Sequence, residues 1–218
     1  MVFDFWCRPL WDWVIDLVCN PLLAPYFEWD AQKLYKFNGK VFIQFFDEPW
    51  TAKRFWEVQV HRFLSGNYFV SQTFQNTLPA GAKPIGIILY ADKTKLSSFG
   101  TQMGYPIVAR LANLPAEIRN GRGIGGGSVV GWLPIVCIFI LCLCCKFLLI
   151  VKIDDDEEEK KKPGYVNFKR VIWHESFRKL LESLKNPSNV GYMVKCGDGV
   201  SRHLFPFICI LSADYEEQ

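Results

Sequence analysis

The chain has 218 residues, half of them hydrophobic, with 18 Phe and 8 Trp, which excludes global disorder and supplies apolar side chains for a substantial core. The formal net charge of +3 is too slight to dictate a polyanionic partner, although acidic site residues can offset a basic surface. Of the eight cysteines, Cys137, Cys142, Cys144 and Cys145 crowd one apolar run, whereas Cys7, Cys19, Cys196 and Cys209 are scattered without nearby histidines. This pattern indicates neither a disulfide framework nor a zinc site.

The N-terminal stretch is apolar but carries Asp4, Arg8, Asp12 and Asp16, and it lacks the basic start and small-residue cleavage site of a signal peptide. An intracellular location is expected. Trp11, Val14, Ile15 and Val18 recur at helical spacing, and Pro21 and Pro25 punctuate the end of that helix. Asn38-Gly39 predicts a turn between two short strands, and Thr51 is placed to cap a short helix through Trp56. Residues 1–59 thus read as a mainly helical preamble, while His61–Phe74 has no clear period.

Ile85, Ile87, Ile88, Leu89 and Tyr90 form a continuous apolar run, the pattern of a strand buried on both faces, with Asp92 just beyond it. "GYPIVARLANLP" and "SVVGWLPIV" predict two further strands on either side of the glycine-rich "NGRGIGGGS". Asp154–Lys162 is a charged linker. Phe168–Lys185 predicts an amphipathic helix with Val171, Ile172, Phe177, Leu180, Leu181 and Leu184 on one side. After a turn at "CGDG", "LFPFICILSA" predicts another buried strand, followed by Asp214. The expected class is α/β: three strands, a helix and a fourth strand, with the first and fourth able to lie side by side and parallel.

In that order Asp92 and Asp214 would face one point. Two close carboxylates repel each other unless a cation sits between them, and hard oxygen ligands select Mg2+ or Mn2+. The alternative is that each is an ordinary turn-initiating aspartate. "GRGIGG" (Gly121 to Gly126) matches G-x-G-x-x-G formally, but a dinucleotide site needs a helix after it and a strand-like segment follows instead. Arg119 and Arg122 on that loop, and Lys93 and Lys95 beside Asp92, could touch phosphate or simply be solvated. His174 and Glu175 are adjacent, so as helical neighbours they would not converge; a capped helix start explains "WHES" better.

"PLLAPYFEWDAQKLYKFNG", "FFDEPWTAKRFWEVQ", "PIGIILYADKTKLSSFGTQMGYPIVARLANLP", "GYVNFKRVIWHESFRKLLESL" and "LFPFICILSADYEEQ" together resemble the Plavaka transposases of fungal genomes, which are related to the CACTA-type cut-and-paste elements. The resemblance implies an RNase H-like fold whose acidic triad binds divalent metal (Mg2+ or Mn2+) and cleaves and joins DNA at transposon ends. It also implies action in the nucleus and a possible homo-oligomer. "ILYADKTKLSSFG" matches the stretch bearing the first catalytic and metal-binding aspartate, hence Asp92, and "ILSADYEEQ" that of the second, hence Asp214. The family's third acid falls beyond a stretch like "ADYEEQ". The expectation is therefore a truncated chain, inactive alone, or a non-catalytic transposon-derived remnant.

Two stretches have no counterpart in the resemblance: about Val60 to Gln75 and about Val136 to Lys152. Val136-Cys137 can be encoded by GTATGT, a common fungal splice donor, and both stretches can end in AG. They read as short in-frame introns that have been translated. The expected organisation is then a preamble (1–59), an insertion (60–76), the first three strands (77–135), an apolar insertion (136–152), a charged linker (153–166), and the helix with the fourth strand (167–218). The rival reading takes Val129–Val151, charged only at Lys146, as the span of a single-pass membrane protein of unknown role. A span there would put the strands bearing Asp92 and Asp214 on opposite sides of a bilayer.

Overall fold

The computed structural model describes residues 5–64, 82–96, 98, 103–135 and 163–213. At its centre is a six-stranded mixed sheet. In chain order the elements are β1 (Trp6–Cys7), α1 (Leu10–Val18), β2 (Leu34–Phe37), β3 (Phe42–Phe45), α2 (Lys53–Leu64), β4 (Ala82–Ala91), β5 (Thr94–Lys95), β6 (Met103–Gly104), β7 (Pro106–Leu111), α3 (Ala116–Arg119), β8 (Ser128–Trp132), α4 (Pro163–Leu181), α5 (Lys185–Val190), β9 (Tyr192–Lys195) and β10 (Ser201–Ala213). The order across the main sheet is β1-β8-β7-β4-β10-β9. The β4, β7 and β8 strands form an antiparallel meander, and β10 returns parallel to β4 on the other side. A parallel return needs a crossover connection, and α4 lies within it.

β4 reads as an unbroken apolar run because it is covered on both faces. Ile85, Ile87, Leu89 and Ala91 join the larger core with Trp11, Trp13, Val14 and Val18 of α1 and Phe177 and Leu180 of α4. The intervening Gly86 and Ile88 point the other way, where Phe55 and Val58 of α2 pack with Trp50, Ala112 and Phe207. A Cβ on Gly86 would stand 2.9 Å from the Ala112 Cβ and 3.1 Å from the Phe55 ring, so the small residue lets α2 approach the sheet.

Several expectations need correcting. The N-terminal stretch is more than a helical preamble: β1 pairs with β8 at the sheet edge, and α1 supplies five residues of the larger core. Thr51 does not cap α2. Its hydroxyl donates to the Glu48 carbonyl (2.7 Å) and accepts from the Asp47 N–H (2.9 Å), closing the short helical turn Pro49–Thr51. α2 continues to Leu64, so the start of the stretch without a clear period is helical. α4 begins at Pro163, which puts "WHES" in mid-helix rather than at a capped start. Val171 is 58% exposed and does not share the buried face of Ile172, Phe177 and Leu180.

Ser128–Trp132, where the membrane reading begins its span, is a strand paired with β7. Among the described residues no helix is long and apolar enough to cross a membrane. The pairing of β4 with β10 also holds the chain before and after the apolar run in one sheet, which a single crossing between them forbids. The two stretches read as insertions lie outside the described residues apart from Val60–Leu64 at the end of α2. Cys137, Cys142, Cys144 and Cys145 also lie outside them.

β9, which the sequence pattern did not single out, forms a hairpin with β10. Its turn is built around Asp198: the carboxylate accepts from the Val200 N–H at 3.0 Å and from both terminal nitrogens of Arg202 at 2.8 and 2.7 Å, and Gly199 adopts φ +79°. Arg202 also stacks over Trp29 at 4.3 Å. The Arg202 hydrogen bonds, then the Val200 N–H, hold the Asp198 carboxyl down at about 2. A depressed folded value means that this contribution to stability is complete above the unfolded value of about 4 and is lost as pH falls through about 2. A carboxyl NMR titration is expected to show Asp198 still ionised at pH 3, and Arg202→Ala should raise it toward the ordinary range, with the Val200 N–H still holding it somewhat down.

Candidate functional site

The end of β4 carries the first candidate. Asp92 follows Ala91 directly and is half-buried. Residues two apart on a strand share a face, and the Tyr90 hydroxyl donates to Asp92 Oδ2 at 2.8 Å. The carboxylate is thus held by a side chain of the same strand. Tyr90 was not singled out from the sequence, although its place two residues ahead of Asp92 on a strand was a usable signal. Among the neighbours proposed for phosphate, Lys93 lies with its Nζ 5.5 Å from the Tyr105 ring, and Lys95 is exposed in β5, paired with Met103 of β6.

The second candidate, Asp214, lies outside the described residues. The strand leading to it is described to Ala213. β10 runs beside β4 from His203↔Ala82 to Phe207↔Gly86 and Ile208↔Ile87, then shifts to Ile210↔Ile88, and ends at Ala213↔Ala91. Cys209 is the extra residue, a β-bulge, and without it Ala213 would stand opposite Asp92 instead of Ala91. With it, the last paired residues of the two strands each directly precede a candidate aspartate in the sequence. Bulges recur next to functional sites because they re-aim a strand end.

The other candidates do not gather here. The "GRGIGG" loop connects α3 to β8, with no helix after it, and Gly125 has φ +91° in a tight turn. That context excludes a dinucleotide cradle. Arg119 is engaged: it donates to the Leu114 carbonyl at 2.8 Å and pairs with Glu48, whose other oxygen accepts from the Ala116 N–H at 2.8 Å at the start of α3. It pins the loop to the N-terminal part of the chain rather than being presented to phosphate, while Arg122 is exposed. His174 lies edge-on to Trp173, and Glu175 is paired with Arg178, so those two do not converge. Among the described residues no group of three His, Cys, Asp or Glu side chains is placed to hold a metal ion.

A mixed sheet whose central parallel pair ends, in the sequence, one residue ahead of Asp92 and of Asp214 defines the class of the chain as α/β. The comparisons name the family. A model described as Plavaka transposase matches residues 1–218, and the chain belongs to that family. No curated protein and no solved structure matches it.

Proposed function

We propose that this chain acts on DNA as part of a cut-and-paste transposase, with β8-β7-β4-β10 as an RNase H-like core and Asp92 and Asp214 as its first two metal-binding acids. The observation that carries this reading is the β4–β10 register, which ends at Ala91 and Ala213, one residue ahead of each aspartate. Family membership supports DNA as the substrate, and hence the nucleus as the place of action. The donor set fits a hard divalent cation, Mg2+ or Mn2+, because carboxylate oxygens are the ligands such ions prefer. Asp92 and Asp214 would hold it, and Tyr90, through its bond to Asp92 Oδ2, would orient the first ligand. When bound, such a cation activates a water or a 3′-hydroxyl against a phosphodiester.

Conversion of supercoiled plasmid to nicked circles in Mg2+ or Mn2+ tests the reading. A chain that carries the full acidic triad is expected to nick, and Asp92→Asn to lower its rate by at least about a hundredfold. Nicking that survives Asp92→Asn would remove Asp92 from the site. A plasmid left untouched by a chain that carries the full triad would remove catalysis from the reading and leave a non-catalytic, transposon-derived protein.

A further inference from the structure

β2 and β3 form a two-stranded ribbon separate from the main sheet. Such a hairpin is marginal in water and ordinarily buries one face, yet this one exposes both. The register sets Tyr35 opposite Gln44 and Phe37 opposite Phe42, and directly opposed residues lie on the same face. One face therefore presents three aromatic rings and an amide. Tyr35 is 53%, Phe37 55% and Phe42 71% exposed, and none of the three belongs to either core. The Phe37 and Phe42 rings lie 5.2 Å apart at the tip. The tip is set by its own bonds: Asn38 Oδ1 accepts from the Lys40 and Val41 N–H groups at 3.0 and 2.9 Å, and Gly39 takes φ +94°. From Lys33 to Phe46 there is no acidic side chain, and Lys36 and Lys40 are both exposed.

We propose that this hairpin is a stacking platform for unpaired bases of single-stranded DNA, with Lys40 in its turn on the phosphate backbone. Flat rings spaced along a strand and flanked by cations are the chemistry that holds single strands without reading sequence, since every base has a π-face. The charge favours this occupant over a second copy of the chain, which would bring like-charged lysines together. The choice of DNA rests on the function proposed above, but the platform is a surface distinct from the carboxylates and needs no cation.

The test is fluorescence anisotropy of the full chain with labelled oligodeoxythymidylate of about 16 nucleotides, and with a duplex of equal length, in EDTA. The Phe37→Ala/Phe42→Ala chain is expected to bind the single strand about 10- to 100-fold more weakly. Phe37→Tyr/Phe42→Tyr, which keeps the rings, should restore binding to within a few-fold, and the duplex should respond less than the single strand. Lys40→Ala should reduce the slope of log K against log salt by about 0.7. Because the assay contains EDTA, failure of the metal site leaves this result unaltered. Alanine variants that bind as tightly as the wild type would overturn the platform while leaving the carboxylate reading intact. Loss of a dimer in sedimentation with unchanged oligonucleotide binding would also overturn it and assign the face to a second copy.

Discussion

Replacing Asn113 by alanine is expected to cost at least about 3 kcal/mol of stability, a large fraction of what a domain this size holds. Asn113 is fully buried just past the end of β7. Its Oδ1 accepts from the Gly86 N–H at 2.8 Å, and its Nδ2 donates to the carbonyls of Glu28 (2.8 Å) and Pro84 (3.0 Å). Its own carbonyl accepts from the Glu28 N–H at 3.0 Å. One side chain thereby ties the N-terminal segment to the first half of the central strand and to the end of its antiparallel neighbour. Alanine would remove three hydrogen bonds at once and strand a backbone N–H where the close packing of Ala112, Phe55 and Phe207 leaves Gly86 little room. Each such group costs about 1–3 kcal/mol. Asn113→Asp should be no milder, because a carboxylate can accept from Gly86 but cannot donate to either carbonyl. Thermal melts should fall by about 6–12 °C for the alanine variant. A loss below about 1 kcal/mol in urea would show that water or a neighbouring group replaces the amide.

The second large effect concerns cation affinity. Asp92→Asn and Asp214→Asn are each expected to weaken Mn2+ binding by at least about tenfold, measured by calorimetry or by water-proton relaxation. Asparagine keeps the shape and one acceptor oxygen but loses the charge that makes a carboxylate a strong ligand for a hard cation. If both acids hold one ion, the double variant should be little worse than either single one, since most of the binding is already gone. Tyr90→Phe probes the supporting hydrogen bond to Asp92 Oδ2. It should weaken Mn2+ by about tenfold while leaving the melting temperature nearly unchanged, because Tyr90 is partly exposed. Independent, additive losses from the two aspartates would mean that they do not share an ion.

Much of the sheet was legible because its signals are local. The run Ile85–Tyr90 is apolar at every position, and it is covered by α1 and α4 on one side and by α2 on the other. Asn38-Gly39 announced a turn and makes one, with Gly39 at positive φ. The strand order itself allowed the first and fourth predicted strands to lie parallel, and β4 and β10 do. Other features were illegible for a common reason: they depend on partners distant in sequence. Nothing around Trp6-Cys7 announces an edge strand, because a two-residue strand has no period and exists only through β8. Arg119 looked like a solvated loop cation until the fold set Glu48 beside it. Thr51 resembled a helix cap, but its hydroxyl found a closer partner in its own turn.

By itself, the sequence determined the class of the chain and where its candidate acids stand, since apolar runs, glycine turns and an aspartate after a strand are written residue by residue. Only the tertiary structure decided the alignment of those strand ends. The bulge at Cys209 moves β10 by one position relative to β4, so that Ala213 rather than Ser212 lies opposite Ala91. A one-residue slip exchanges the two faces of a strand, and nothing in "FPFICILSA" says which residue will be the extra one. Around it Phe207 and Cys209 pack with the smaller core that holds Phe55 and Val58 of α2, and Ile208 packs toward the larger one, contacts among segments that lie far apart in the chain.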